Sequence, residues 1–186
     1  MSVVANETEQ VTEDNKKTKR GLGYYWPFGL VVGVMALDQL TKWLTETNLG
    51  PYGSGKEVEI LGGLVRFRYV LNTGASFGMF KDAPWLFTGL AILASAGIII
   101  WYVADGTRVW VYQLCTGLIL AGVMGNLFDR IFRNGAVTDM INFPWFEFFK
   151  NFNVADSSIT IGVTTMVVSS LVRAWRDSRN KGATES

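Results

Sequence analysis

Pro84-Trp85-Leu86-Phe87-Thr88-Gly89-Leu90-Ala91-Ile92-Leu93-Ala94-Ser95-Ala96-Gly97-Ile98-Ile99-Ile100-Trp101-Tyr102-Val103-Ala104 is an apolar run without a single charge. A hydrocarbon core about 30 Å thick is crossed by roughly 17 to 25 helical residues, so this stretch has the length and composition of a transmembrane helix. Three further segments read the same way, from about Tyr25 to Leu44, Val109 to Leu127 and Ser157 to Trp175. Tyr24, Tyr25, Trp26, Trp43, Trp85, Trp101, Tyr102, Trp110, Tyr112 and Trp175 fall near the ends of these runs, at the depth where aromatic side chains anchor in headgroups. A soluble helical core would not place runs of this length four times in 186 residues. The expected fold is a mainly α membrane protein of one domain: a four-transmembrane-helix bundle over residues 23–176, flanked by polar tails at 1–22 and 177–186.

Basic residues orient the bundle. Lys16, Lys17, Lys19 and Arg20 precede the first span, Arg108 lies between the second and third, and Arg173, Arg176, Arg179 and Lys181 lie at or beyond the end of the fourth. An even number of spans puts all of these on one side, the cytoplasm. The opposing loops also carry Lys56, Arg66, Arg68, Lys81, Arg130, Arg133 and Lys150, but the tails weigh more because they adjoin span ends. Met1 to Arg20 mixes acidic and basic residues, a tail composition and not that of a cleavable signal sequence, so insertion falls to the first span.

Two outer segments join the spans. In the first, about 45–81, Val58–Leu61 and Leu64–Leu71 flank Gly62-Gly63 and read as two short strands of a small extracytoplasmic β-sheet with one apolar face. The second, about 128–156, holds the turn signal Asn134-Gly135, then Val137 to Asn142, then the aromatic stretch Phe143 to Lys150, expected to lie in the membrane interface.

Composition narrows the chemistry. There are no histidines and one cysteine, Cys115, so Ser-His and Cys-His nucleophile pairs, histidine-ligated zinc and internal disulfides are excluded. A net charge of +1 gives no sign of a nucleic-acid partner. Carboxylates remain, and Asp139 and Asp156 anchor the two clearest polar blocks at the bilayer edge. Asp38, Asn126, Asp129 and Arg130 lie toward the same outer face. Asp38 and Lys42, four residues apart, read as a structural pair on one helical face, and Asp129 as a bridging group needing partners other than the adjacent Arg130. Asn72 stands beside Gly74, Ala75 and Gly78, where small residues leave room for a peptide. Taken alone, these residues also leave open an ion-conducting bundle, a magnesium-dependent lipid transferase, a hydrolase using Ser157 or Ser158 with a lysine, or a membrane scaffold.

In Asp38-Gln39-Leu40-Thr41-Lys42, Asn72-Thr73-Gly74-Ala75-Ser76-Phe77, Gly125-Asn126-Leu127-Phe128-Asp129-Arg130, Val137-Thr138-Asp139-Met140-Ile141 and Phe152-Asn153-Val154-Ala155-Asp156, the chain resembles the lipoprotein signal peptidases, in order and approximate spacing. The blocks cover about Pro27 to Trp175. One departure is Ala121-Gly122-Val123-Met124-Gly125-Asn126, where the family commonly has glycine-glycine-alanine-leucine-glycine-asparagine. The resemblance implies an aspartic endopeptidase of the bacterial inner membrane that cuts prolipoproteins just before a diacylglyceryl-modified cysteine. It puts the catalytic aspartates at Asp139 and Asp156 and matches Asn72, Asn126, Arg130 and Asn153 to the polar residues that line the family's site, while Gly74 and Asp129 are expected from their own positions to support it. It implies no metal or other cofactor and inhibition by globomycin, and the protein is expected to work as a monomer among membrane lipids.

Two nearby carboxyls share a proton, one serving as base and the other as acid. Asp156, read as immediately preceding the fourth helix, is expected to be the ionised member. Gly117, Gly122 and Gly125 are expected to let the apolar signal helix pack closely among the spans.

Overall fold

The computed structural model describes residues 22–73, 84–105, 109–146 and 151–184. Among them are four long helices, α1 (Trp26–Leu49), α2 (Pro84–Asp105), α3 (Trp110–Phe132) and α4 (Val154–Thr184), and three strands, β1 (Glu57–Ile60), β2 (Val65–Asn72) and β3 (Val137–Asn142). Each helix covers one expected apolar run. α1 extends five residues beyond the expected end at Leu44, and α4 starts three residues before Ser157, which brings Asp156 inside its first turn.

Trp85–Ala104, Trp110–Phe132 and Val154–Asn180 are long and apolar enough to cross a membrane. α1 falls outside that set because Asp38, Gln39 and Lys42 interrupt its apolar run. Large apolar side chains stand outward on the bundle, Leu93 70% and Leu171 64% exposed, where water would penalise them and lipid would not. The chain is an integral membrane protein.

α3 is the centre of the bundle and packs on α1, α2 and α4. Val31, Leu120 and Ala121 are buried between them, with Val34, Met35, Ile98, Ile99 and Met124 packed around. Glycines set how close these helices come. A Cβ on Gly122 would collide with Ala155 O and lie 2.6 Å from both Ile159 Cγ1 and Ser158 Oγ of α4. One on Gly125 would lie 2.9 Å from Asp38 Oδ2, and one on Gly117 3.0 Å from Leu30 Cδ2 of α1. The expectation that these glycines admit a substrate helix is therefore corrected. The chain's own α1 and α4 occupy the space, because close helix approach in lipid draws on small residues wherever it occurs.

At one end of the bundle, Tyr24 Oη donates to Tyr102 O at 2.7 Å and Tyr102 Oη donates back to Tyr24 O at 2.8 Å, with the rings stacked at 4.9 Å. At the other end lies the sheet, in the order β1-β2-β3 and antiparallel throughout. The expected hairpin forms, Ile60 opposite Val65 across a turn in which Gly62 and Gly63 take φ of 67° and 86°. β3 was not foreseen as its third strand. It pairs with β2 from Arg66↔Asn142 to Asn72↔Val137, with a register irregularity between Phe67 and Val70. Its residues are buried with the exception of half-buried Ile141, so it lacks the alternation that marks a strand with one wet face. Of the aromatic stretch, Trp145 Nε1 donates to Leu64 O at 3.0 Å, tying it to the hairpin turn, and residues 147–150 lie outside the described residues.

Candidate active site

β3 is paired on both sides. Opposite β2, Met140 N and Ile141 N both donate to Phe152 O, at 3.1 and 2.9 Å, and Phe152 N donates to Ile141 O at 3.0 Å. This fixes the chain just before α4, so that Asn153 becomes the N-cap. Asn153 Oδ1 accepts from Asp156 N at 2.8 Å, and Asp156 Oδ2 accepts in return from Asn153 N at 3.3 Å. The pair is a capping box built from asparagine and aspartate, satisfying two donors that a helix start would otherwise strand. The expectation that Asp156 precedes the helix is thus corrected: it is the third helical residue, still within the turn where the helix dipole favours negative charge.

The same Asn153 reaches the other carboxylate, its Nδ2 donating to Asp139 Oδ1 at 2.8 Å. Asp139 pairs across the sheet with Val70, which places Asn72 on the diagonal of the same face, and Asn72 Nδ2 donates to Asp139 Oδ2 at 3.0 Å. Asn126, from the last turns of α3, donates from Nδ2 to Asp156 Oδ1 at 2.7 Å. Three asparagines on three elements hold two carboxylates that stand 17 residues apart in sequence. Burial pushes the Asp139 carboxyl up from 3.8 to about 7; the neighbouring charge of Asp156 adds to this, while Asn72, Lys42 and Asn153 partly offset it. A carboxyl that titrates near neutral pH can give and take protons there.

Beneath the pair lies a fully buried ion cluster. Lys42 Nζ is 2.8 Å from Asp38 Oδ2 and 2.9 Å from Asp129 Oδ2, all three side chains 0% exposed. The expected Asp38–Lys42 pair is present and carries more than one helix. The other Asp38 oxygen, Oδ1, accepts from Ala155 N at 2.9 Å, so α1 caps the start of α4. Asp129 Oδ2 also accepts from Thr138 N at 2.9 Å, tying α3 to β3 beside Asp139. Gln39, to which sequence reading gave no role, donates to Asp38 Oδ2 at 3.1 Å and Asp129 Oδ1 at 3.0 Å. Its place beside Asp38 was the only hint. Arg133 is paired with Glu46 and stands 3.6 Å from Asp129. Arg130 donates to Asn126 O at 3.5 Å and lies over the Phe87 ring; neither contact is to Asp139 or Asp156. Gly74 lies outside the described residues.

Residues 30–172 match the family model described as signal peptidase (SPase) II. The chain belongs to the signal peptidase II family. It is therefore a protease by membership. A lipoprotein signal peptidase of Symbiobacterium thermophilum is 39% identical over 135 residues, covering 72% of this chain and 86% of that protein. One from Shewanella halifaxensis is 34% identical over 170 residues, covering 89% and 95%. A solved bacterial membrane enzyme superposes with a TM-score of 0.71 at 28% identity, over 83% of this signal peptidase II chain and 90% of its own.

Proposed function

We propose that this signal peptidase II removes the signal peptide from prolipoproteins, with Asp139 and Asp156 as the catalytic pair. The observation that carries the assignment is the geometry around Asn153, one residue bonded to both carboxylates, to Asp139 through its side-chain Nδ2 and to Asp156 through its backbone N–H, at a strand and a helix start. Asp156, with the Asn126 amide, a backbone N–H and the helix N-terminus facing it, is the ionised member and accepts a proton from water as the water oxygen attacks the scissile carbonyl. Asp139 holds the shared proton and donates it to the developing oxyanion. As the carbon–nitrogen bond breaks, the leaving amine takes the proton held by Asp156 and the hydroxyl of the intermediate returns its proton to Asp139, so the carboxylates return to their starting state. Asn72, Asn126 and Asn153 fix the pair. Asp129 and the Asp38–Lys42 pair support it from below, and Arg130, on the same end of α3, supports it as well.

α1 is the fourth membrane span. Its Asp38 and Lys42 are fully buried and paired with each other, which removes most of the cost that kept its composition below the other three. Both termini face the cytoplasm of a bacterial inner membrane and the site lies at the outer face. Cysteines introduced at Ser54 and Ser186 should label from opposite sides of that membrane. Labelling of both from one side would remove the four-span arrangement.

A site at bilayer depth suits a substrate whose cysteine carries diacylglycerol, since the acyl chains anchor in lipid and hold the cleavage point in place. The protein in detergent or lipid should release the signal peptide from such a precursor as a monomer, in the presence of chelator and without added cofactor. Globomycin should stop it, and the same precursor without its lipid should be cut poorly. Metal dependence, or no cleavage of any lipidated precursor by folded protein, would sink the reading.

A further inference from the structure

Asn126 joins the ion cluster to the carboxylate pair, and its amide fits there one way round. Oδ1 receives Lys42 Nζ at 3.3 Å and Asn153 Nδ2 at 3.1 Å, while Nδ2 donates to Asp156 Oδ1 at 2.7 Å. Turning the amide by 180° would set its NH2 group against an ammonium and a second amide donor, and its oxygen against a carboxylate. An ammonium has three N–H donors. Those of Lys42 meet Asp38, Asp129 and Asn126, so a residue that only fastened α1 to α3 would have no need of the third contact.

We infer that Lys42 is a positioning residue of the peptidase: it locks the Asn126 amide with its NH2 toward Asp156, and so keeps Asp156 the ionised, water-activating member of the pair. This rests on the assignment of Asp139 and Asp156. Charge-assisted hydrogen bonds are roughly twice as strong as neutral ones, so the ammonium is the stronger of the two donors holding Oδ1. The charged groups around Asn126 and the pair are Asp38, Lys42 and Glu46 from α1, Asp129 and Arg130 from α3 with Arg133 at its end, Asp139 from β3 and Asp156 from α4.

The test compares Lys42→Met with the double variant Lys42→Met, Asp129→Asn. The single change strands two buried carboxylates and endangers folding. The double change keeps the net charge of the cluster while removing the donor to Asn126. For the folded double variant, kcat should fall about tenfold with KM within about twofold, as for an interaction that matters in the transition state. The acid limb of its pH–rate profile should move up by about one pH unit, the scale of one lost charge-favouring hydrogen bond. A merely structural lysine would leave the shape of that profile unmoved, any rate loss following the folded fraction. That result, or failure of both variants to fold, would overturn the inference. If Asp139→Asn or Asp156→Asn leaves cleavage intact, the assignment of the pair falls instead. If those two abolish cleavage and the Lys42 variants keep the wild-type profile, the role given to Lys42 falls alone.

Discussion

Asp139→Asn and Asp156→Asn should each lower the rate of signal-peptide release by about a hundredfold to ten-thousandfold, the range typical of general acid–base catalysis, while the protein stays folded and inserted. Asparagine keeps the shape of the side chain and loses the proton exchange. At position 156 its amide oxygen can still accept from Asn153 N, so the capping box survives and α4 starts where it did. Steady-state cleavage of a lipidated precursor, with thermal unfolding measured beside it, separates chemistry from stability. A variant with near-wild-type turnover would remove that residue from the pair, and Asp129 would be next to test. The wild-type profile should also fall above about pH 7, where Asp139 gives up its proton. Folding has a matching dependence. Asp139 holds its proton more tightly folded than unfolded, so its contribution to stability is fully present below pH 3.8 and is lost as pH rises through about 7. Asp139→Asn should flatten that slope.

Gly122→Val should be strongly damaging although it leaves every charged group in place. The new Cβ would meet the backbone at Ala155 and the side chains of Ser158 and Ile159, and backbone cannot swing aside as a flexible side chain can. Overpacking of this kind costs about 1 to 3 kcal/mol, occasionally more. The strain falls on the first turn of α4, where Ala155 N is held by Asp38 and Asp156 by Asn126. Activity should therefore drop further than the folded fraction, and a melting experiment run with the cleavage assay would show the gap. Gly97→Val, at a position with open space around the added atom, is the control. Equal behaviour of the two variants would mean that α3 and α4 do not depend on this contact.

The helices were legible because a long apolar run contains its own answer, and the hairpin because Gly62-Gly63 sits between two alternating segments. Asp139 and Asp156 stood out as polar groups that a bilayer penalises. What they touch was not legible. β3 is buried on both faces and so shows no alternation, and its partner β2 lies far back in the chain. Asp38 was read by its neighbour four residues on, yet one of its oxygens reaches Ala155 N, 117 residues away. Small residues announce close approach without naming the partner, which is why Gly117, Gly122 and Gly125 were assigned to a substrate helix and belong to the protein's own packing. The start of α4 was misplaced by three residues because Asn153-Val154-Ala155-Asp156 reads as a polar loop until the reciprocal capping bonds are seen.

The two carboxylates and the amides that hold them come from a strand after the first helix, the end of the third helix, a strand after that and the start of the fourth. During synthesis the ribosome delivers these in turn. Asp139 emerges with Asn72 and Asn126 already made, but Asn153 and Asp156 arrive with the last helix. On the proposed mechanism a chain cut short before α4 has half of the acid–base pair and no bridge across it, and such a fragment should be inert toward lipid-anchored precursors in the same membrane. Proteolytic competence should then begin only when the final helix has been made and has docked on α3.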